Sequence, residues 1–135
     1  AVHSNFDLSR DKQTERLMRA MDRPCFTILA HPTGRLLGSR EAYDVDMKRI
    51  IQHAKQRGCF LELNAQPLRL DLNALHCRMA KSAGVLISIN SDSHRINDFN
   101  NLTFGVEQAR RGWLEKDNIL NSRPLSSLLK LIQHA

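Results

Sequence analysis

The sequence predicts an α/β domain of about four parallel strands with helices packed outside. Two observations carry this expectation. Short apolar, β-branched-rich runs alternate with amphipathic helical stretches throughout the 135 residues, and that rhythm favours parallel strands joined by helical crossovers. The polar residues that end those runs also recur at a fixed interval: His3, His31, Asn64 and Asp92 are 28, 33 and 28 residues apart. That interval is one strand-helix unit.

Taken in order, Ala1 to Ser4 reads as the tail of a first strand. Ser9 is placed to cap a helix with Leu17, Met18 and Met21 on one face, ending before Pro24. Cys25 to Ala30 reads as the second strand and runs into His31-Pro32-Thr33-Gly34-Arg35. The next helix, capped by Asp44, carries Met47, Ile50, Ile51 and Ala54 inward and stops at Gly58. Phe60 to Leu63 is the third strand. Asp71 is expected to cap a helix with Leu72, Leu75, Met79 and Ala83 inward, stopped by Gly84. Val85 to Ile89 is the fourth strand. A helix from about Asp98 to Arg111 ends at Gly112, and short helices at Lys116 to Leu120 and Pro124 to Gln133 complete the pattern.

Composition sets outer bounds. No run approaches the ~18 apolar residues of a membrane span, and no signal or lipidation pattern is present. A membrane partner is therefore not expected, and the compartment expected is the cytoplasm. The net charge of +6 suits a polyanion such as nucleic acid, although the basic residues are spread along the chain rather than clustered. Cys25, Cys59 and Cys77 are odd in number and lack C-x-x-C spacing, so reduced thiols are expected instead of a disulfide frame or zinc knuckle.

The chemistry concentrates at strand ends. In parallel α/β folds, functional side chains gather where strands terminate at their carboxyl ends. Asp92 and His94 follow the run Val85-Leu86-Ile87-Ser88-Ile89, and their two-residue spacing aims both the same way in extended chain. With His3 and His31 they form a candidate ligand set for Zn²⁺, Mn²⁺ or Fe²⁺. Mixed imidazole and carboxylate sites of this kind suit phosphoester hydrolysis with two or three metals. A bland alternative stays open: a Ser/Asn/Asp turn after a strand, and histidines that bond strand-end backbone. Arg35, after Thr33-Gly34, is placed to contact phosphate, and Arg69 is a weaker version of the same idea. His53 is expected to be solvated, His76 to pack at a helix edge and His134 to lie in the tail, so none of these is expected to ligate. Glu62 could face the interior or pair with a cation, and is left off the ligand set.

The strings His31-Pro32-Thr33-Gly34-Arg35, LELNAQPLRLDL, SINSDSH and ARRGWLEKDNILNSRP, with the leading VHSNFDLS and TERLMRA, resemble the C-terminal PHP (polymerase and histidinol phosphatase) domain of bacterial family X DNA polymerases. The resemblance covers essentially the whole chain. It implies a distorted, TIM-like (β/α)7 barrel with up to three divalent metal ions, Mn²⁺ or Zn²⁺. It further implies a 3′-5′ exonuclease and phosphoesterase joined to an N-terminal polymerase domain, acting on DNA in repair, in the bacterial cytoplasm near the nucleoid. By the family pattern His3 and His31 help hold one ion, Asp92 another and His94 a third, so Asp92 and His94 are also the catalytic expectation. Ala30 stands where glycine is usual, Gln66 where asparagine is usual and Ser93 where alanine is usual; none removes a ligand. The family's H-x-H, two further histidines and a bridging glutamate would precede Ala1. The chain is therefore expected to be the second half of a barrel (a partial barrel), inactive as an isolated fragment. Two alternatives accompany this reading: a free-standing phosphatase of the histidinol-phosphatase type, and a non-catalytic DNA-binding module.

Overall fold

The computed structural model describes residues 1–132. It is a mixed α/β structure with a three-stranded parallel sheet in the order β1-β2-β3, formed by Ile28–Leu29, Phe60–Asn64 and Ile87–Asn90. Five helices accompany it: α1 Arg10–Met21, α2 Met47–Arg57, α3 Ala74–Ala83, α4 Leu102–Arg111 and α5 Leu125–Ile132. Short 3₁₀ turns occupy Ile96–Asn101, Lys116–Asn118 and Leu120–Ser122. His134 and the end of the helix expected through Gln133 lie outside the described residues.

Three expectations about strands need correction. Ala1 to Ser4 is irregular chain, so the described residues hold three parallel strands instead of four. The second expected strand shrinks to Ile28–Leu29, because Cys25 takes a left-handed backbone (φ 67°) that breaks extended pairing. The last strand begins at Ile87, since the Val85 amide closes the end of α3 on Ala80.

Helix caps explain where the chain turns. Gly58 and Gly84 end α2 and α3 with φ values of 71° and 74°, a conformation that costs glycine little. The cap of α2 is Asp46, which accepts from the Arg49 amide, and not Asp44. Asn73, not Asp71, caps α3 through the His76 amide. Leu75, expected to face inward, is therefore largely exposed.

Alternation along the strands separates two environments. In β2 and β3 the residues Leu61, Leu63, Ile87 and Ile89 are buried with Ile50, Ala54, Cys77 and Ala80 of the helices. The opposite face carries Glu62, Asn64, Ser88 and Asn90, paired in register as Glu62 with Ser88 and Asn64 with Asn90. Helix α4 approaches β2 and β3 closely at Gly105, where a Cβ would lie 2.6 Å from Ile89 Cγ2 and 2.7 Å from Ala65 Cβ. Beyond β3, the Asn121 side chain accepts from the Ile89 amide and donates to its carbonyl, so it satisfies that edge.

Candidate active site at the strand ends

The polar face of the sheet is a connected network. Glu62 accepts the His31 amide (2.7 Å) and the Asn90 Nδ2 group (2.9 Å). Asn64, fully buried, donates from Nδ2 to Glu62 Oε2 (3.3 Å) and Asp92 Oδ2 (3.0 Å), and accepts the Gln66 amide (3.0 Å). Ser88 Oγ donates to Asn90 Oδ1 at 2.8 Å. These bonds tie the loops after all three strands to one another, and they satisfy a carboxylate that burial would otherwise penalise.

His31 and Asp92 leave β1 and β3 with left-handed backbones, φ 30° and 51°. Non-glycine residues in that region concentrate where function constrains the chain. The His31 ring is buried, and its Nδ1 has no hydrogen-bond partner. Burial, helped by the nearby Arg69 charge and His3, pushes its pKa down to about 4. The ring is thus neutral at pH 7 and keeps a nitrogen lone pair, the form a metal requires. His3, exposed on the N-terminal segment, lies edge-on to it with ring centroids 5.1 Å apart.

Asp92 is half-buried. Its Oδ2 receives Asn64 and lies 3.6 Å from Arg69 Nε. His94 is exposed, and its Nδ1 pairs with the Asp92 carbonyl at 2.8 Å. A donating Nδ1 leaves Nε2 as the free lone pair, an arrangement common in ligating histidines. Each of the four residues therefore has the chemistry of a ligand. No three His, Cys, Asp or Glu side chains among the described residues come together closely enough to hold an ion. The residues fit a metal as separate contributors and do not complete a site among themselves.

The two arginines differ. Arg35 donates from Nε to the Arg69 carbonyl (2.7 Å) and from Nη2 to the Leu70 carbonyl, so it holds the 69–70 backbone. Arg69 faces Asp92 and has Nη1 buried without a partner. Asp71, buried, accepts the Thr33 and Gly34 amides at 2.9 Å each, and it thereby shapes the loop that leaves His31. Its burial raises its pKa to about 6. Glu62, Asn64 and Asp71 were not expected as site-building residues. The period-two placement of Glu62, Asn64, Ser88 and Asn90 was the visible signal for the first two. His53, expected to be solvated, instead pairs with Asp22 at 2.9 Å and its side chain is only 14% exposed. His76 is half-buried on α3, with burial lowering its pKa. The three cysteines are free, Cys25 exposed and the others buried.

No protein-family model matches the chain. Over 128 residues, 95% of its length, it is 40% identical to the DNA polymerase/3′-5′ exonuclease PolX of Bacillus subtilis (strain 168). The chain is a relative of PolX. It spans 22% of the length of PolX. It is also 23% identical over 118 residues to probable phosphatases of Thermoanaerobacter sp. (strain X514) and Thermoanaerobacter pseudethanolicus (strain ATCC 33223 / 39E). That alignment covers 83% of this chain and 46% of each phosphatase. PolX and these phosphatases are thus named for activities that include phosphoester hydrolysis. Among the described residues, no helix is long and apolar enough to cross a membrane.

Proposed function

We propose that the chain is the C-terminal part of a PHP-type, metal-dependent phosphoesterase that cleaves DNA from the 3′ end. The observation that carries this reading is the buried, neutral and unpartnered Nδ1 of His31 at a strand end that Glu62 and Asn64 tie to Asp92. An orphaned buried nitrogen costs free energy unless a ligand meets it. His3 and His31 would serve one ion, Asp92 a second and His94 a third, with Mn²⁺ or Zn²⁺ suited to these donors. When bound, such ions polarise a phosphoryl oxygen and lower the pKa of bound water to about 7.

The chain's own residues do the rest. Glu62 holds the His31 backbone, Asn64 fixes the Asp92 carboxylate, and the Asp92 carbonyl orients His94. Arg69 is the better placed phosphate contact, and Arg35 acts through it by holding its carbonyl. A three-stranded piece with one polar face agrees with part of a (β/α)7 barrel whose remaining strands and ligands, with a polymerase domain, belong to the rest of such a protein. A role in DNA repair near the nucleoid follows from the same resemblance. The likeness to probable phosphatases supports a second reading, hydrolysis of a small phosphomonoester.

The test is hydrolysis of a 5′-labelled single-stranded oligonucleotide and of glycerol phosphate by the intact protein with Mn²⁺. Shortening of the oligonucleotide that Asp92→Asn abolishes supports the exonuclease. Turnover of glycerol phosphate alone transfers the case to the phosphatase, and turnover of neither leaves only a binding role.

A further inference from the structure

Beside Asp92 lies an open cleft of about 480 Å³, within the size range of small-molecule sites. Its lining is divided. Leu36 and Leu68 form an apolar side, and Leu68 is 63% exposed although it borders a polar site. Arg69, Arg95 and His94 form a polar side with the two carboxylates Asp92 and Asp98. Those carboxylates already have donors: Asp98 Oδ2 accepts the His94 and Arg95 amides at 2.9 and 3.0 Å, and Asp92 Oδ2 accepts Asn64. The exposed guanidinium of Arg95 has no hydrogen bond or ion pair among the described residues, and Arg69, paired with Asp92 through Nε, adds a second positive charge on the same side. The cleft thus offers a free cationic donor for an oxyanion next to a bare apolar wall.

A second surface continues it. Arg95, at the N-cap of the 3₁₀ turn, and Asp98 within it line the cleft. A 3₁₀ helix repeats every three residues, so Ile96 and Phe99 form the neighbouring ridge. They are 87% and 62% exposed, apolar surface adjoining in sequence the two residues that line the cleft. Chain leaving the cleft on that side would cross it.

We propose that this cleft binds one nucleoside monophosphate unit, with its phosphate at Arg69 and Arg95 and its base against Leu36 and Leu68. When the unit is the 3′ end of a strand, the preceding bases rest on Ile96 and Phe99. The assignment rests on the phosphoesterase reading for its purpose, and it adds the selectivity: a base is required, so small alkyl phosphates bind poorly. Aromatic and apolar side chains beside cationic groups are the usual means of holding single-stranded nucleic acid without reading its sequence.

Equilibrium binding to the intact protein without turnover, in chelator, tests this with thymidine monophosphate, inorganic phosphate and a labelled octathymidylate. The side chains to be changed are surface-exposed, and a melting curve checks each variant. Thymidine monophosphate is expected to bind about tenfold more tightly than phosphate, and Leu68→Asn to remove most of that margin. Arg95→Gln is expected to weaken both ligands by about tenfold. Phe99→Ser is expected to weaken the octathymidylate about tenfold while thymidine monophosphate stays within about twofold, which marks the strand end as the source of the ligand. No change in the octathymidylate with Phe99→Ser, alongside a clear Leu68→Asn effect, would assign the cleft to free nucleotide and overturn the strand-end part. Equal binding of phosphate and thymidine monophosphate would overturn the cleft itself. Selective nucleotide binding without any hydrolysis would count against the phosphoesterase reading and for the cleft; hydrolysis without selectivity would do the reverse.

Discussion

His31 and Asp71 make opposite demands on pH, and their opposition can be measured. The buried His31 ring has its pKa lowered from 6.5 to about 4. A depressed folded-state value means stability that is present above pH 6.5 and lost as pH falls toward 4. At about 1.4 kcal/mol per unit, the total is roughly 3 kcal/mol. Asp71 is raised from 3.8 to about 6. Its contribution is full below pH 3.8 and is lost as pH rises through 6, again by roughly 3 kcal/mol. Between pH 4 and 6 the two slopes cancel. Asp71→Asn keeps an acceptor for the Thr33 and Gly34 amides and removes only the acid, so it unmasks His31. Urea unfolding in chelator at pH 4, 5 and 6 should show the variant gaining roughly 2 kcal/mol across that range relative to the parent protein. His31→Asn, which tolerates the left-handed backbone, should lose stability over the same range. The carboxylates with lowered values, Asp22, Asp46 and Glu115, are common to all these proteins and drop out of the differences. Parallel pH profiles for the parent and Asp71→Asn would mean that Asp71 does not titrate differently in the folded and unfolded chain.

Other perturbations follow from single contacts. Asn64→Ala removes three hydrogen bonds at a fully buried position and should lower unfolding stability by about 3 kcal/mol in urea. Gly34→Ala places a Cβ against the Tyr43 ring at a residue with φ +63°, and thermal unfolding should show a loss of roughly 2–4 kcal/mol. Arg57→Ala breaks an exposed 2.6 Å pair with Asp22, and chemical unfolding should register no clear loss of stability.

Local signals were legible where local physics decided the outcome. Gly58 and Gly84 stop helices because left-handed caps favour glycine, and both stops are visible in the sequence. Asp44 and Asp46 are equally plausible caps on composition alone, and the choice depends on packing: the Asp46 amide is held by Thr14 of α1. Asp71 looks like a cap because Asp often is one. Its partners, Thr33 and Gly34, are 37–38 residues away, and no local pattern announces them. The same holds for Arg35, whose spacing suggested phosphate but whose nearest acceptors are carbonyls of the 69–70 loop. The strand-end positions of His31, Asn64 and Asp92 were readable from the repeat. The contacts of Glu62, which tie two of those loops together, required the register of β2 on its neighbours.

In the proposed function, His31 presents a neutral, unpartnered Nδ1 to a metal. Zn²⁺ titration of the intact protein with ¹⁵N-labelled histidine, followed by NMR of the ring nitrogens at pH 7, tests it directly. The His31 Nδ1 resonance should respond at stoichiometric Zn²⁺, and His31→Asn should remove one bound ion. A His31 ring unmoved at saturating Zn²⁺, with full metal content retained in His31→Asn, would contradict it.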